Sequence, residues 1–174
     1  WNAAIQSRPI PLAAVAAAVL RERSFRLGGS NQADSLSAQI ARMAVLRAYH
    51  RRKPGGFPMS EGLDRDVPDV AYHCGRLLAL LADVQHAALG DVNANVVQRY
   101  YASASATPAL VLGRLIRTSQ FHLAKVDGGL RDVLERRIAG VMARIDRFPA
   151  VLALEGQSMF ALGYYHQLAA RQAG

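Results

Sequence analysis

The chain of 174 residues is 51% apolar and 20% charged, which suits one compact domain with a single core and excludes an intrinsically disordered polymer. It has no apolar run of about 18 residues to cross a membrane, and its lone thiol, Cys74, excludes an internal disulfide and leaves a structural zinc site only five scattered histidines. The net charge of +8, with a pI near 10.4, calls for an anionic partner, and a reducing cytoplasm is the expected compartment.

The chain opens on Trp1 rather than Met, which points to a processed product or a piece of something longer. Pro9 to Leu20 predicts an alanine-rich helix begun by prolines; Arg21, Glu22 and Arg23 follow at once, so it is no signal-peptide core. After the Gly28-Gly29-Ser30-Asn31 break, Asp34 or Ser35 caps a second helix that reaches Arg52. A polar loop runs to Asp66, and Pro68 and Asp69 are expected in the first turn of a third helix through Leu89. Val70, Leu77, Leu81, Val84 and Ala88 recur along it at helical spacing. A short helix is predicted from about Asn93 to Tyr101, then longer ones over Pro108 to Val126, Gly129 to Arg147 and Leu154 to Gln172. No strand pattern survives. The expected fold is all-α, a single bundle of six or seven helices, with residues 1–60 a basic helical pair in the same domain as residues 61–174.

Nothing in this sequence spells a catalytic centre. His50, His73, His86, His122 and His166 fall on separate helices or turns, with no HExxH pair and no second thiol, so no metal and no cofactor is expected. His73 lies beside the apolar stripe of its helix and reads as a core or boundary histidine. There is no GxxxxGK[ST] and no GxSxG; Gly28-Gly29, Gly55-Gly56 and Gly128-Gly129 read as helix punctuation. Asp127 with Arg131 and Asp132 with Arg136 read as ordinary surface pairs at i,i+4.

Charge is concentrated at the front: residues 1–60 carry nine Lys/Arg against two Asp/Glu, residues 61–126 six against six, and residues 127–174 six against five. Only Lys53 and Lys125 are lysine. Guanidinium forks suit phosphate, although an arginine-biased genome would give the same count. On the Pro108 helix, Leu112, Leu115, Ile116, Leu123 and Val126 gather on one face, with Arg114, Arg117, Thr118, Phe121 and Lys125 opposite. That basic face with one aromatic fits a nucleic-acid backbone with a base on the ring, and it equally fits a solvated face whose Phe packs on a neighbouring helix. The next helix is expected to turn Leu130, Leu134, Ile138, Val141 and Ile145 inward and Arg136, Arg137, Arg144 and Arg147 outward. Arg42, Arg47, Arg51 and Arg52 wrap the second helix. Arg99 to Pro108 joins a cation, two tyrosines and several hydroxyls beside a helix start; it offers a phosphate dock, but capping hydroxyls and core tyrosines are the preferred reading. Ala161 to Gln167 is apolar nearly all round, with small residues for close helix approach, and reads as core.

Three runs carry a resemblance: Asn95-Val-Val-Gln-Arg-Tyr-Tyr-Ala-Ser-Ala-Ser-Ala-Thr-Pro108, Ser119-Gln-Phe-His-Leu-Ala-Lys125 and Phe160-Ala-Leu-Gly-Tyr-Tyr-His-Gln167. In order and spacing they resemble the C-terminal part of the large subunit of type I-C CRISPR effector complexes. Leu46 to Lys53 and Ala71 to Leu77 are similar to the same region, so the resemblance spans roughly residues 10–172. It implies a helical piece of the Cascade assembly, equivalent over residues 61–174 to the internally translated small subunit, with Met43 or Met59 as candidate starts. The implied work is that of a scaffold and not a nuclease, bracing the guide RNA–target DNA heteroduplex and holding the displaced single strand among the backbone and large subunits, away from any membrane. Arg99, Arg114, Arg117 and Lys125 are then the expected phosphate contacts, Phe121 or Tyr100 the stacking rings, and Arg42, Arg47, Arg51 and Arg52 a second patch. The competing expectation is a helical protein–protein adaptor without direct nucleic-acid contact.

Overall fold

The computed structural model describes residues 62–172. Within them lie five helices and no strand: α1 (Val70–Leu89), α2 (Val96–Ala106), α3 (Pro108–Leu123), α4 (Gly128–Met142) and α5 (Leu154–Gln172). The two helices expected before Arg52 lie outside the described residues.

α1 is the axis. Asp69 caps it, its Oδ1 accepting from the N–H groups of Ala71 at 2.7 Å and Tyr72 at 3.2 Å, so Asp69 precedes the first turn rather than sitting in it. At the other end Gly90 takes φ +65° and donates its N–H to the His86 carbonyl at 2.8 Å, the left-handed stop that glycine makes at least cost. From Ala71 to Leu81 every residue of α1 is buried. A helix enclosed all round needs more than the single expected stripe, and α1 accordingly packs against all four other helices.

α5 is its main partner, and two glycines set their approach. A Cβ on Gly75 would overlap the Phe160 carbonyl, and a Cβ on Gly163 would overlap the Tyr72 carbonyl. Each helix therefore lends the other the space of a missing side chain. Around the crossing, Tyr72, Leu77, Leu78, Phe160 and Leu162 are fully buried. Tyr101 of α2 meets Phe160 and Tyr164 edge-on, with ring centroids 5.7 and 5.2 Å apart.

α2 begins with a capping box, Asn95 accepting from the Gln98 N–H at 2.9 Å while Gln98 Oε1 accepts from the Asn95 N–H at 3.0 Å. It runs to Ala106, five residues past the expected Tyr101, because its hydroxyls are satisfied within the helix. Ser103 donates to the Tyr100 carbonyl, Ser105 to Ala102 and Thr107 to Ser103. Pro108 then opens α3, where its missing N–H costs nothing. The Ala109 N–H donates to the Pro149 carbonyl at 3.0 Å and the Leu152 N–H to the Ala106 carbonyl at 2.8 Å, which straps the loop before α5 across the α2–α3 junction.

α3 ends at Leu123, three residues short of expectation, and Lys125 and Val126 continue in a tighter turn. α4 likewise stops at Met142 rather than Arg147. Its inward set is Leu134, Val141 and, beyond the helix, Ile145, with Ile138 half-buried. Leu130 is expected inside but is 47% exposed, in a first turn of α4 that is exposed from Gly128 on, and the cluster of Val84, Leu123, Val126 and Leu134 takes its α4 residue from the next turn.

Candidate nucleic-acid interface

The buried polar groups serve the fold. His73 Nε2 lies 2.7 Å from the Val67 carbonyl and its Nδ1 3.2 Å from Arg76 Nη1. A guanidinium only donates, so Nδ1 accepts, Nε2 carries the proton and the ring is neutral. Burial is the main cause that holds its pKa below the ordinary value, with the Val67 carbonyl pulling the other way. Arg76 also donates to Gln167 at 3.2 Å, and Tyr72 Oη meets His166 Nδ1 at 2.8 Å, so the α1–α5 seam is threaded by polar contacts. Burial pushes the Cys74 thiol up to about 12, which removes the thiolate a nucleophile needs. Among the described residues no three His, Cys, Asp or Glu side chains gather as a metal site.

The exposed face of α3 has the opposite character. Leu112, Leu115, Leu123 and Val126 are buried and Arg114, Arg117, Thr118, Phe121 and Lys125 all face out, as the periodicity predicts, whereas Ile116 is only half-buried and Val111 and Ser119 join the inner side. Phe121 is 74% exposed, so the alternative in which its ring packs on a neighbouring helix is not realised. Thr118 donates its hydroxyl to the Arg114 carbonyl at 3.2 Å and is occupied by its own helix. Among the described residues no carboxylate pairs with Arg114, Arg117 or Lys125.

A wider pattern explains why. Residues 92–126, which span α2 and α3, hold Arg99, Arg114, Arg117 and Lys125 and not one Asp or Glu. All six acids of residues 61–126 fall before residue 92, so counting that third as one block hides the window. Counting in shorter segments would have found it. Leu110, 78% exposed and one turn before Arg114, extends the same face and also escaped notice.

The other expected contacts are dispersed. Arg99 is exposed on α2, which packs against α3, and Tyr100 beside it is half-buried; neither is joined to the α3 set by a hydrogen bond or ring contact. The phosphate dock that Arg99 to Pro108 offers as the less favoured alternative is closed, since the three hydroxyls serve helix carbonyls and the first free N–H of α3 donates to the Pro149 carbonyl. The hydroxyls are not caps either: Thr107 precedes α3 without a side-chain bond to it. Arg136 and Arg137 on α4 and Arg147 beyond its end are exposed, and Arg144, also past the helix, binds Asp66 at 2.6 Å. The expected pairs Asp127 with Arg131 and Asp132 with Arg136 do not close. Arg42, Arg47, Arg51 and Arg52 lie outside the described residues.

Among the described residues no helix is long and apolar enough to cross a membrane. No curated protein matches the chain. The family model of the CRISPR-associated protein Csd1 matches residues 1–172, nearly the whole length, and the chain therefore belongs to the Csd1 family of CRISPR-associated proteins.

Proposed function

We propose that the chain is a non-catalytic scaffold of a type I-C Cascade complex, bracing the guide RNA–target heteroduplex and holding the displaced DNA strand by its phosphates. The observation that carries this reading is the face of α3, where Arg114, Arg117 and Lys125 stand exposed without a carboxylate among the described residues. Fixed cations with no internal partner attract a polyanion and are repelled by each other, so a bound backbone relieves them. Holding a strand by its phosphates needs no base-edge contact, which fits a system whose sequence specificity comes from base pairing. The membership of the family supports the setting.

Replacing Arg114, Arg117 and Lys125 together by Ala tests the role. Loss of strand retention in the assembled complex, with the helical fold intact, is the expected outcome; unchanged retention overturns the phosphate role. A second reading, a protein–protein adaptor, draws on Leu110 and Val151, which are 78% and 72% exposed beside the strapped α2–α3 junction. Photocrosslinking from α3 separates the two, because one predicts adducts with the displaced strand and the other adducts with protein subunits alone.

A further inference from the structure

We propose that Lys125 is a modification site, an amine that acyl phosphates acylate because the basic, acid-free face of α3 draws their phosphoryl group to it.

Lys125 is one of two lysines in the chain, and among the described residues every other Lys/Arg position is an arginine. The difference is chemical. A guanidinium stays protonated and is no nucleophile, whereas an ammonium gives up its proton in small fraction and the free amine attacks carbonyl carbon. Lys125 is exposed in the turn after α3, where its backbone N–H donates to the His122 carbonyl at 2.9 Å, and among the described residues no carboxylate holds its side chain. The amine is therefore presented from a fixed backbone without an ion pair to tether it.

The surroundings select the reagent. An acyl phosphate carries its reactive carbonyl beside a negatively charged phosphoryl group, so a positive face concentrates it, and a neutral ester gains nothing there. At about 1.5 Å per residue, Arg117 lies roughly 12 Å and Arg114 roughly 17 Å before Lys125 along the axis. Both separations fall inside the screening length of about 30 Å at 0.01 M salt and far outside that of about 3 Å at 1 M. The nearest acid along the chain, Asp127, is exposed at the start of α4 without a side-chain capping bond, and it opposes the attraction.

The step balances with the acyl phosphate as the one co-reactant. The free amine attacks the acyl carbon, the new N–C bond forms, and the C–O bond to the phosphoryl group breaks. Inorganic phosphate leaves with the electron pair, and the proton lost from nitrogen passes to water. The product is a neutral amide, so the face loses one of its cations. The chemistry stands on the face alone; its consequence, a weaker hold on a polyanion, rests on the scaffold reading above.

The test incubates the full chain with acetyl phosphate or with the neutral ester p-nitrophenyl acetate and follows acetylation of Lys125 by peptide mass spectrometry. With acetyl phosphate at low salt, the double variant Arg114→Ala with Arg117→Ala is expected to slow acetylation about threefold and Asp127→Asn to speed it about twofold. Salt at 1 M is expected to cancel both effects, and the neutral ester to show neither. No acetylation at Lys125, or the same response to both reagents, overturns the proposal. The consequence is read separately, as DNA binding by Lys125→Gln against Lys125→Arg, with about threefold weaker binding expected for the glutamine variant. If acetylation follows the expected pattern and the two variants bind alike, the modification stands and the phosphate role of Lys125 falls; if the variants differ and acetylation does not follow the pattern, the phosphate role stands and the modification falls.

Discussion

α3 and α4 are both amphipathic helices laid against the same central axis, and both show arginines on their outer face. They differ in what accompanies the arginines. Along α4 and its exit, Asp132, Glu135 and Asp146 are interspersed with Arg136, Arg137, Arg144 and Arg147, and Arg144 is bound by Asp66. Along α3 there is no acid at all, and the outer face carries exposed apolar groups as well. α3 is also packed on two helices, α1 and α2, where α4 is packed principally on α1. Counting arginines would rank α4 the more basic helix; counting what neutralises them ranks α3 first. Field at a surface follows the second count.

The strongest way to break the comparison is to remove the axis beneath both helices. Gly75→Ala or Gly163→Ala drives a methyl group into the backbone of the opposite helix, and a loss of about 3 kcal/mol or more of unfolding free energy is expected in denaturant titration. Milder loss would mean that the crossing can relax. Next comes the contrast itself. Arg114, Arg117 and Lys125 changed together to Ala should weaken single-strand binding about 30-fold at moderate salt and flatten the salt dependence by about 2 in log–log slope. The matching triple on α4 and its exit, Arg136, Arg137 and Arg147, should cost less than about threefold; equal effects would erase the distinction. A smaller change sharpens it: Gln120→Glu plants an acid on α3 and should lower affinity a few-fold, while Glu135→Gln makes α4 more like α3 and should raise it about twofold, both read by anisotropy.

The last prediction concerns pH. His73 has its pKa lowered in the folded chain, chiefly by burial, so the unfolded chain binds the proton more readily. Stability from this group is intact above its ordinary value of 6.5 and declines as pH falls below it toward the folded value. The melting temperature of the wild-type chain should fall over that window, and fall less in His73→Gln. An equal fall in both would assign the acid sensitivity elsewhere.

The helical periodicity made much of this legible. The buried side of α3, the core role of Ala161 to Gln167 and the limits of α5 all followed from spacing, because each is a local property of one helix. Gly163 was readable as a point of close approach, but its counterpart Gly75 was not, since only the crossing brings the two together. The lengths of α2, α3 and α4 were misjudged for a related reason. Serine and threonine hydroxyls that bond to their own helix extended α2, and tight turns after Leu123 and Met142 ended helices that the apolar pattern continues past. Leu130 shows the same limit: periodicity gives its side of the helix, and only the neighbouring elements determine whether anything stands there to cover it.

The strap across the α2–α3 junction has a mechanical consequence. Two hydrogen bonds, one from Ala109 at the root of α3 and one to Ala106 at the end of α2, tie the junction to the segment that leads into α5, so α3 is anchored at the end remote from Phe121 and along its inner side. A filament tugging on the outer side would find a braced beam rather than a hinge, and the load would pass through the strap into the glycine crossing, where neither backbone has room to slide.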